Sequence, residues 1–329
     1  MPTKFGGRRV SVGYAKESSR GTYATPTYWE KQASLTLDED VEIALDSNAF
    51  GSIEDAQDQH ITNKWVKGEV TANVKDKSFG LLTALTLGTD TPAAQAGGNS
   101  AVYDHVCTVL ETNQHPSFSV GFIDPVASYG FTNCMVDSLA LDYEIGKFFN
   151  YKLGFLGQAG ATQSPTASYV TENYFLPQHG TFKQASLVSG LAGASATTIK
   201  KFGLAIKKNI ERDSVLGAIA PSDFLNKQFE VTGDLEAYFQ DEATFKTNFL
   251  ADTSQAMLLN VINSDVVLGA TSHPQVQFQI SKTKFVSLGR DMGINNIVKQ
   301  KVAFKGLYDA VTTSMLKATI SNLVTTAFV

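Results

Sequence analysis

Val66-Lys67-Gly68-Glu69-Val70-Thr71-Ala72-Asn73-Val74 recurs 165 residues later as Val231-Thr232-Gly233-Asp234-Leu235-Glu236-Ala237-Tyr238-Phe239. The two stretches share parity as well as letters: Val66, Val70, Ala72 and Val74 fall on alternate positions, as do Val231, Leu235, Ala237 and Phe239. A period of two marks a half-buried strand, one face on a core and the other in water. An aspartate follows each stretch, Asp76 and Asp241, and then a short run with helical spacing. Phe79, Leu82 and Leu85 form the apolar face of the first run, and Phe245, Phe249 and Leu250 that of the second. Each aspartate stands where an N-cap belongs.

The repeat extends both ways. Upstream, Phe50-Gly51-Ser52-Ile53 parallels Leu216-Gly217-Ala218-Ile219, and residues 35–42 parallel residues 204–211. In the latter match Asp38 and Glu39 fall on Lys207 and Lys208. Downstream, His115-Pro116 with alternating Phe118, Val120 and Phe122 parallels His273-Pro274 with Val276, Phe278 and Ile280. Last, residues 151–157 parallel residues 300–306, 149 on. Matches in one order, with offsets that fall as loops shorten, define an internal duplication. The first copy spans about residues 29–157 and the second about 199–307. The chain divides accordingly: residues 1–160 hold an N-terminal extension and the first module, and residues 161–329 a connector, the second module and a C-terminal extension. Residues 158–198 are rich in Gly, Ala, Ser and Thr, yet hold Tyr169, Tyr174, Phe175 and Leu176, which predicts a packed connector rather than a free linker. Residues 308–329 are apolar and Thr-rich, a tail that calls for burial on its own body or on a neighbour.

Composition agrees with a β-rich chain. Of 329 residues 43 % are hydrophobic, enough for a full core, and only 18 % are charged. Gly, Ser, Thr, Ala and Asn fill the gap, favouring strands and turns over solvated helices. The net charge of −5 is the wrong sign for gripping phosphate backbones. Residues 1–12 are basic and polar without an apolar core, so no signal peptide is expected, and no apolar run is long enough to span a membrane. Cys107 and Cys134 read as buried thiols of a reducing compartment, with a single bridge between them left open. The five histidines lack metal spacing, and there is no HExxH, GxSxG, P-loop or GxGxxG. No enzyme, cofactor or metal is expected. His115-Pro116 and His273-Pro274 read as strand entries, since proline tolerates the first position of a strand. Trp29 and Trp65 read as core or interface aromatics, and Phe148, Phe149 and Tyr151 as core or subunit contacts.

The N-terminus reads Gly13-Tyr14-Ala15-Lys16-Glu17-Ser18-Ser19-Arg20-Gly21-Thr22-Tyr23-Ala24-Thr25-Pro26. With its Glu-x-x-x-Gly-Thr opening, the Leu216-Gly217-Ala218 turn and the residues 231–236 run, the chain resembles the tail tube proteins of tailed bacteriophages, the large duplicated type of siphophages. The resemblance implies two tail-tube-like β-sandwich or half-barrel modules, each with a short flanking α-helix. It implies a structural virion protein, found in the tail and made in the host bacterial cytoplasm. Modules join into a continuous barrel, and stacked rings form a tube that conducts DNA into the host without sequence-specific binding. A tape-measure protein and tail-end proteins are the implied partners. Six modules lending about four strands each give ~24 strands; at a spacing of about 4.8 Å and a tilt of about 40° the backbone diameter is nearly 50 Å, wider than duplex DNA. Two modules per chain then predict a ring of three chains with pseudo-sixfold symmetry, the alternative being six chains. A β-sandwich carbohydrate-binding or adhesin-type module is the competing reading, compatible with the aromatics and the Asn/Thr-rich loops.

Asp38, Glu39, Asp40, Glu42 and Asp46 form an acidic cluster, with Glu54, Asp55 and Asp58 behind it. Paired carboxylates can serve acid–base chemistry or a metal, but a calcium loop wants glycine at its sixth position and a distal glutamate, and this run has neither arrangement. A solvated face, a negative lumen that repels phosphates, and a role in ring assembly remain as readings. Assembly is preferred for Asp38 and Glu39, because Lys207 and Lys208 at equivalent positions would alternate with them around a ring and fix its register.

Overall fold

The repeated stretch lies on two strands of the computed structural model, which describes residues 4–49 and 51–329. Phe50 of the upstream match and the first three positions of the 1–12 segment lie outside the described residues. In chain order the strands are β1 (Ser11–Lys16), β2 (Tyr28–Glu30), β3 (Gln32–Asp46), β4 (Asp58–Asn73), β5 (Thr91–Ala94), β6 (Tyr103–Thr108), β7 (Phe118–Ile123), β8 (Ser128–Glu144), β9 (Asn150–Gln158), β10 (Ala161–Thr162), β11 (Gly180–Ala185), β12 (Lys201–Lys207), β13 (Glu211–Asp213), β14 (Asp223–Leu225), β15 (Glu230–Tyr238), β16 (Gln255–Ile262), β17 (Gln275–Asp291), β18 (Lys299–Leu307) and β19 (Leu316–Asn322). Helix α1 (Ser78–Leu87) follows β4. After β15 come a π-turn over Ala243–Thr247 and a single turn, α2 (Asn248–Leu250). The protein is mainly β, as expected.

The same ladder is built twice. β4 pairs with β9, Val70 opposite Leu153 and Ala72 opposite Tyr151. β15 pairs with β18, Leu235 opposite Val302 and Ala237 opposite Gln300. These are the relations that the sequence matches demand. β9 in turn pairs with β8 and β18 with β17, and both ladders slip at the same place, between Val136 and Ser138 and between Phe285 and Ser287. A bulge bends a strand. Each long strand therefore serves two layers: its first part pairs with β7 or β16, and its second with β9 or β18.

The His-Pro match is one that the ladders correct. His115-Pro116 leads into β7, and His273-Pro274 leads into β17. β7 is the hairpin partner of β8, and β16 holds that place beside β17, so β7 answers to β16 and the two His-Pro entries are not equivalent. Alternation alone does not distinguish neighbouring strands of a hairpin.

The flanking segments complete the outer layer. β1, from the extension, pairs with β7, and β11, from the connector, pairs with β16. Phe175 and Phe182 of the connector are buried. The C-terminal tail is buried on its own body: β19 lies between β17 and β6, with Leu316, Ala318 and Ile320 inside. Its Phe328 ring covers α1 so closely that a Cβ on Gly80 would sit 2.6 Å from it. Every residue of α1 is consequently buried, not one face alone. Asp76 does not cap that helix. It accepts from Asn173 of the connector, and Glu172 takes the Ser78 N–H instead. Asp241 does cap its turn, accepting the Thr244 N–H at 2.7 Å. Both cysteines are free and buried, without a bridge.

Buried charges tie these parts together. Glu17, the glutamate of the N-terminal motif, accepts from Gly21 N–H, Ser117 and Ser119 hydroxyls and Asn133 N–H at 2.7–2.9 Å. Gly21 has φ +79, which a side chain would strain. Arg20 reaches Asp223 at 2.6 Å, so the motif anchors the extension to β7, β8 and β14. Lys75 lies between Glu30 and Glu172, its ammonium 3.1 Å from the latter, and Tyr151 donates to Glu30. Burial works against the Lys75 charge, but the two carboxylates raise its pKa above the ordinary value. Lys208 is fully buried, and its ammonium caps α1 by donating to the Leu85 carbonyl at 3.3 Å. Burial, with the Arg20 charge adding to it and Asp137 opposing, lowers its pKa to about 7.

The two buried lysines respond in opposite ways to loss of their charge. Lys75→Met strands two buried carboxylates and is expected to cost about 3 kcal/mol or more in urea unfolding at pH 7. Lys152→Met, which breaks the exposed pair with Glu69, is expected to cost under ~1 kcal/mol. Lys208 behaves oppositely. Between pH 7 and 10.5 the unfolded chain holds a proton that the folded chain gives up, so this group makes stability rise with pH across that window and leaves it lowest below pH 7. Lys208→Met is expected to flatten that rise. At pH 6 it should raise stability by about 2 kcal/mol, less than the full shift converts to, because the Leu85 carbonyl loses its donor. An unchanged pH slope in urea titrations would contradict this.

Candidate functional site

Two sets of four strands lie side by side. β3-β4-β9-β8 and β12-β15-β18-β17 each form a ladder, and β12 pairs with β8 from Lys201 opposite Glu144 to Lys207 opposite Ser138. The result is a single run of eight antiparallel strands. One face carries Val66, Val70, Leu153, Phe155, Leu204, Val231, Val302 and Phe304, all buried in the core. The alternate positions carry charge. On this polar face Lys152 meets Glu69 at 2.9 Å, Lys299 meets Glu236 at 2.9 Å and Lys305 meets Glu230 at 3.0 Å. Lys201 sits between Asp142 and Asp234, at 3.4 and 3.7 Å; partial burial lowers its pKa, and the two carboxylates outweigh that and raise it. Exposed cross-strand pairs of this kind add little stability each. Together they make a surface that is polar and dense in charge of both signs.

The acidic cluster lies along β3 at the margin of this run. Asp38, Asp40 and Glu42 are on alternate positions, opposite Lys67, Trp65 and Asn63 of β4, and share the polar face. Glu42 is held by Arg212 at 2.8 Å, and that guanidinium lies 3.5 Å over the Trp65 ring. Glu39 turns to the other side and accepts the Gly160 N–H at 2.9 Å. Asp46 ends β3 beside the hairpin tip, opposite Asp58, and is bonded to Asn48. The cluster is strung along a strand, and among the described residues no three His, Cys, Asp or Glu converge as metal ligands would.

The lysines of the second copy fall differently from expectation. Glu39 stands opposite Val66, and Ile206 stands opposite Val231. Since Val66 and Val231 are equivalent, Lys207 answers to Asp40, not to Asp38, a slip of two residues that leaves strand parity intact and so escapes a pattern match. Lys207 is exposed on the polar face. Lys208 answers to Val41 and is sealed inside its own chain, so its ammonium is closed to any neighbour.

Two features of this surface were not singled out by sequence. The run has two unpaired margins: β3 pairs only with β4, and the last part of β17 only with β18, among the described residues. Val286 and Met292 are 62 % and 68 % exposed at the second margin. The 149-residue offset that equates β8 with β17 was the signal that could have located it, because β8 at that place has a partner. The other feature is the far part of the β3–β4 hairpin, which stands clear of the core with Val41, Ile43, Leu45 and Ile61 exposed along it.

A repeated β-module with open margins and a charged face is the geometry of a building unit. Among the described residues no helix is long and apolar enough to cross a membrane. Among curated proteins no match to the chain was found. The family model described as phage tail tube protein matches residues 7–304, nearly the whole chain and both copies of the ladder. The chain therefore belongs to the phage tail tube protein family, a structural component of the virion tail that assembles with itself into a tube.

Proposed function

We propose that three chains close into one ring with pseudo-sixfold symmetry, and that rings stack into a siphophage-type tube. The observation that carries this reading is the eight-stranded run, in which two four-stranded modules are already joined at β8 and β12. Three such runs supply about 24 strands and a backbone diameter of nearly 50 Å, whereas six would give roughly twice that, far wider than duplex DNA needs.

The polar face lines the lumen in this arrangement, with Asp38, Asp40, Glu42 and Lys207 on it. Mixed charge with an acidic excess at β3 repels phosphate enough to prevent adhesion, so DNA slides through without sequence-specific contacts. A tape-measure protein occupies the same lumen during assembly, and tail-end proteins close the tube. The apolar stripe of the β3–β4 hairpin, with Asp46 near its tip, packs on the next ring. Chains are made in the host cytoplasm, where the two free thiols are stable. The family match gives the carbohydrate-binding and adhesin reading no support, and the role is structural rather than enzymatic. Top-view imaging or native mass measurement of a single layer is expected to count three chains; six chains per layer would overturn the trimeric ring.

A further inference from the structure

The junction inside the chain is a template for a junction between chains. Ile206 of β12 and Glu39 of β3 hold the same place, opposite Val231 and Val66. Leu139 of β8 and Leu288 of β17 hold the same place, opposite Leu153 and Val302. Within the chain, Ile206 stands opposite Leu139. The unpaired margins repeat the two partners of that junction, one on each side of the molecule.

We propose that residues 34–40 of β3 pair antiparallel with residues 287–293 of a second copy of this chain, Ser34 opposite Gly293, Glu39 opposite Leu288 and Asp40 opposite Ser287. The proposal rests on the tube reading and fixes the register of its subunit contact.

The side chains at the two margins fit this register. Leu35 and Met292 take the places of Phe202 and Tyr143, which pair inside the chain. Leu35 is half-buried and Met292 is 68 % exposed in the single chain, and pairing covers both. Just past the strand, Lys208 N–H donates to the Asp137 carbonyl at the bulge, 2.8 Å away. Val41 and Val286 hold those places at the margins, 45 % and 62 % exposed, and the same backbone bond brings both into the junction. Glu39 falls on the same side as Arg290, its diagonal neighbour, which meets Glu242 at 3.3 Å within its own chain and gains a second carboxylate at the junction. On the polar face Asp38 falls opposite Gly289, and Lys301 stands opposite the same glycine on β18. Nothing projects from Gly289 to separate that carboxylate from the ammonium. Edges paired in this way expose no row of free backbone groups, which is what an isolated chain with long margins must avoid.

Adjacent positions on an antiparallel ladder alternate between close and wide pairs, and a disulfide forms only where Cβ atoms come within about 4.5 Å. Two neighbouring double variants, Asp40→Cys with Ser287→Cys and Glu39→Cys with Leu288→Cys, therefore cover both cases. Oxidised after assembly, at least one is expected to give covalently linked chains on a denaturing gel. Asp38→Cys with Ser287→Cys, displaced by two residues on the same face, is expected to remain mostly single chains. Linkage of the displaced pair but of neither matched pair, in samples that show tubes, would overturn the register and leave the tube reading standing. Failure of the unaltered chain to form rings or tubes would overturn both. A second measurement avoids cysteines. Glu39→Arg is expected to raise the concentration needed for assembly about fivefold, and adding Arg290→Glu to restore it. No rescue, with both variants folded by circular dichroism, counts against the Glu39–Arg290 contact and the register that places it.

Discussion

A β-sheet with unpaired margins is an incomplete object, and the rest of this structure is organised around that fact. Each margin presents a row of free backbone donors and acceptors, a ready template for another strand. Inside the chain the difficulty is solved once, where β12 completes β8. The bulged long strands carry the eight-stranded run into an outer layer that borrows strands from extension and connector, and the tail lies over α1. Continuation by another copy satisfies both margins at once, and closure into a ring removes them.

The two junctions use one backbone plan with different chemistry. At the internal one, Lys208 is buried against α1, with Asp137 beside it at the bulge. A buried lysine is tolerable there, because it gives up its proton near pH 7 and its partners fold with it in the same polypeptide. At the margins the same places hold Val41 and Val286, which are exposed in a single chain at modest cost. A charge there would demand a desolvated partner from a separate molecule each time a contact formed. Duplication followed by this divergence lets a single chain present two unlike edges, which meet each other and not themselves.

Much of the fold was legible because strand parity is a strong signal. Val66 through Val74 and its echo, with residues 151–157 and 300–306, gave both ladders in register. The short helices, packed connector and buried tail followed from apolar spacing. Parity also set the limit. A shift of two residues preserves it, so the acidic run was laid on Lys207 and Lys208 two positions out. Neighbouring strands share it, so the two His-Pro entries were equated although they lead into different members of the hairpin. The burial of Lys208 had no sequence signal, since a lysine after a strand usually faces water. The β17 margin is legible only through the 149-residue offset, which sets β17 on β8 and so marks the place where β17 lacks the partner that β12 gives to β8.

Amide hydrogen exchange compared between dispersed chains and assembled tubes tests the central claim, that assembly consists in pairing these two margins. The account predicts that protection rises on assembly in residues 34–40 and 287–291, while the internal β8–β12 junction, already paired, changes little. Margins that exchange as fast in tubes as in single chains would contradict it.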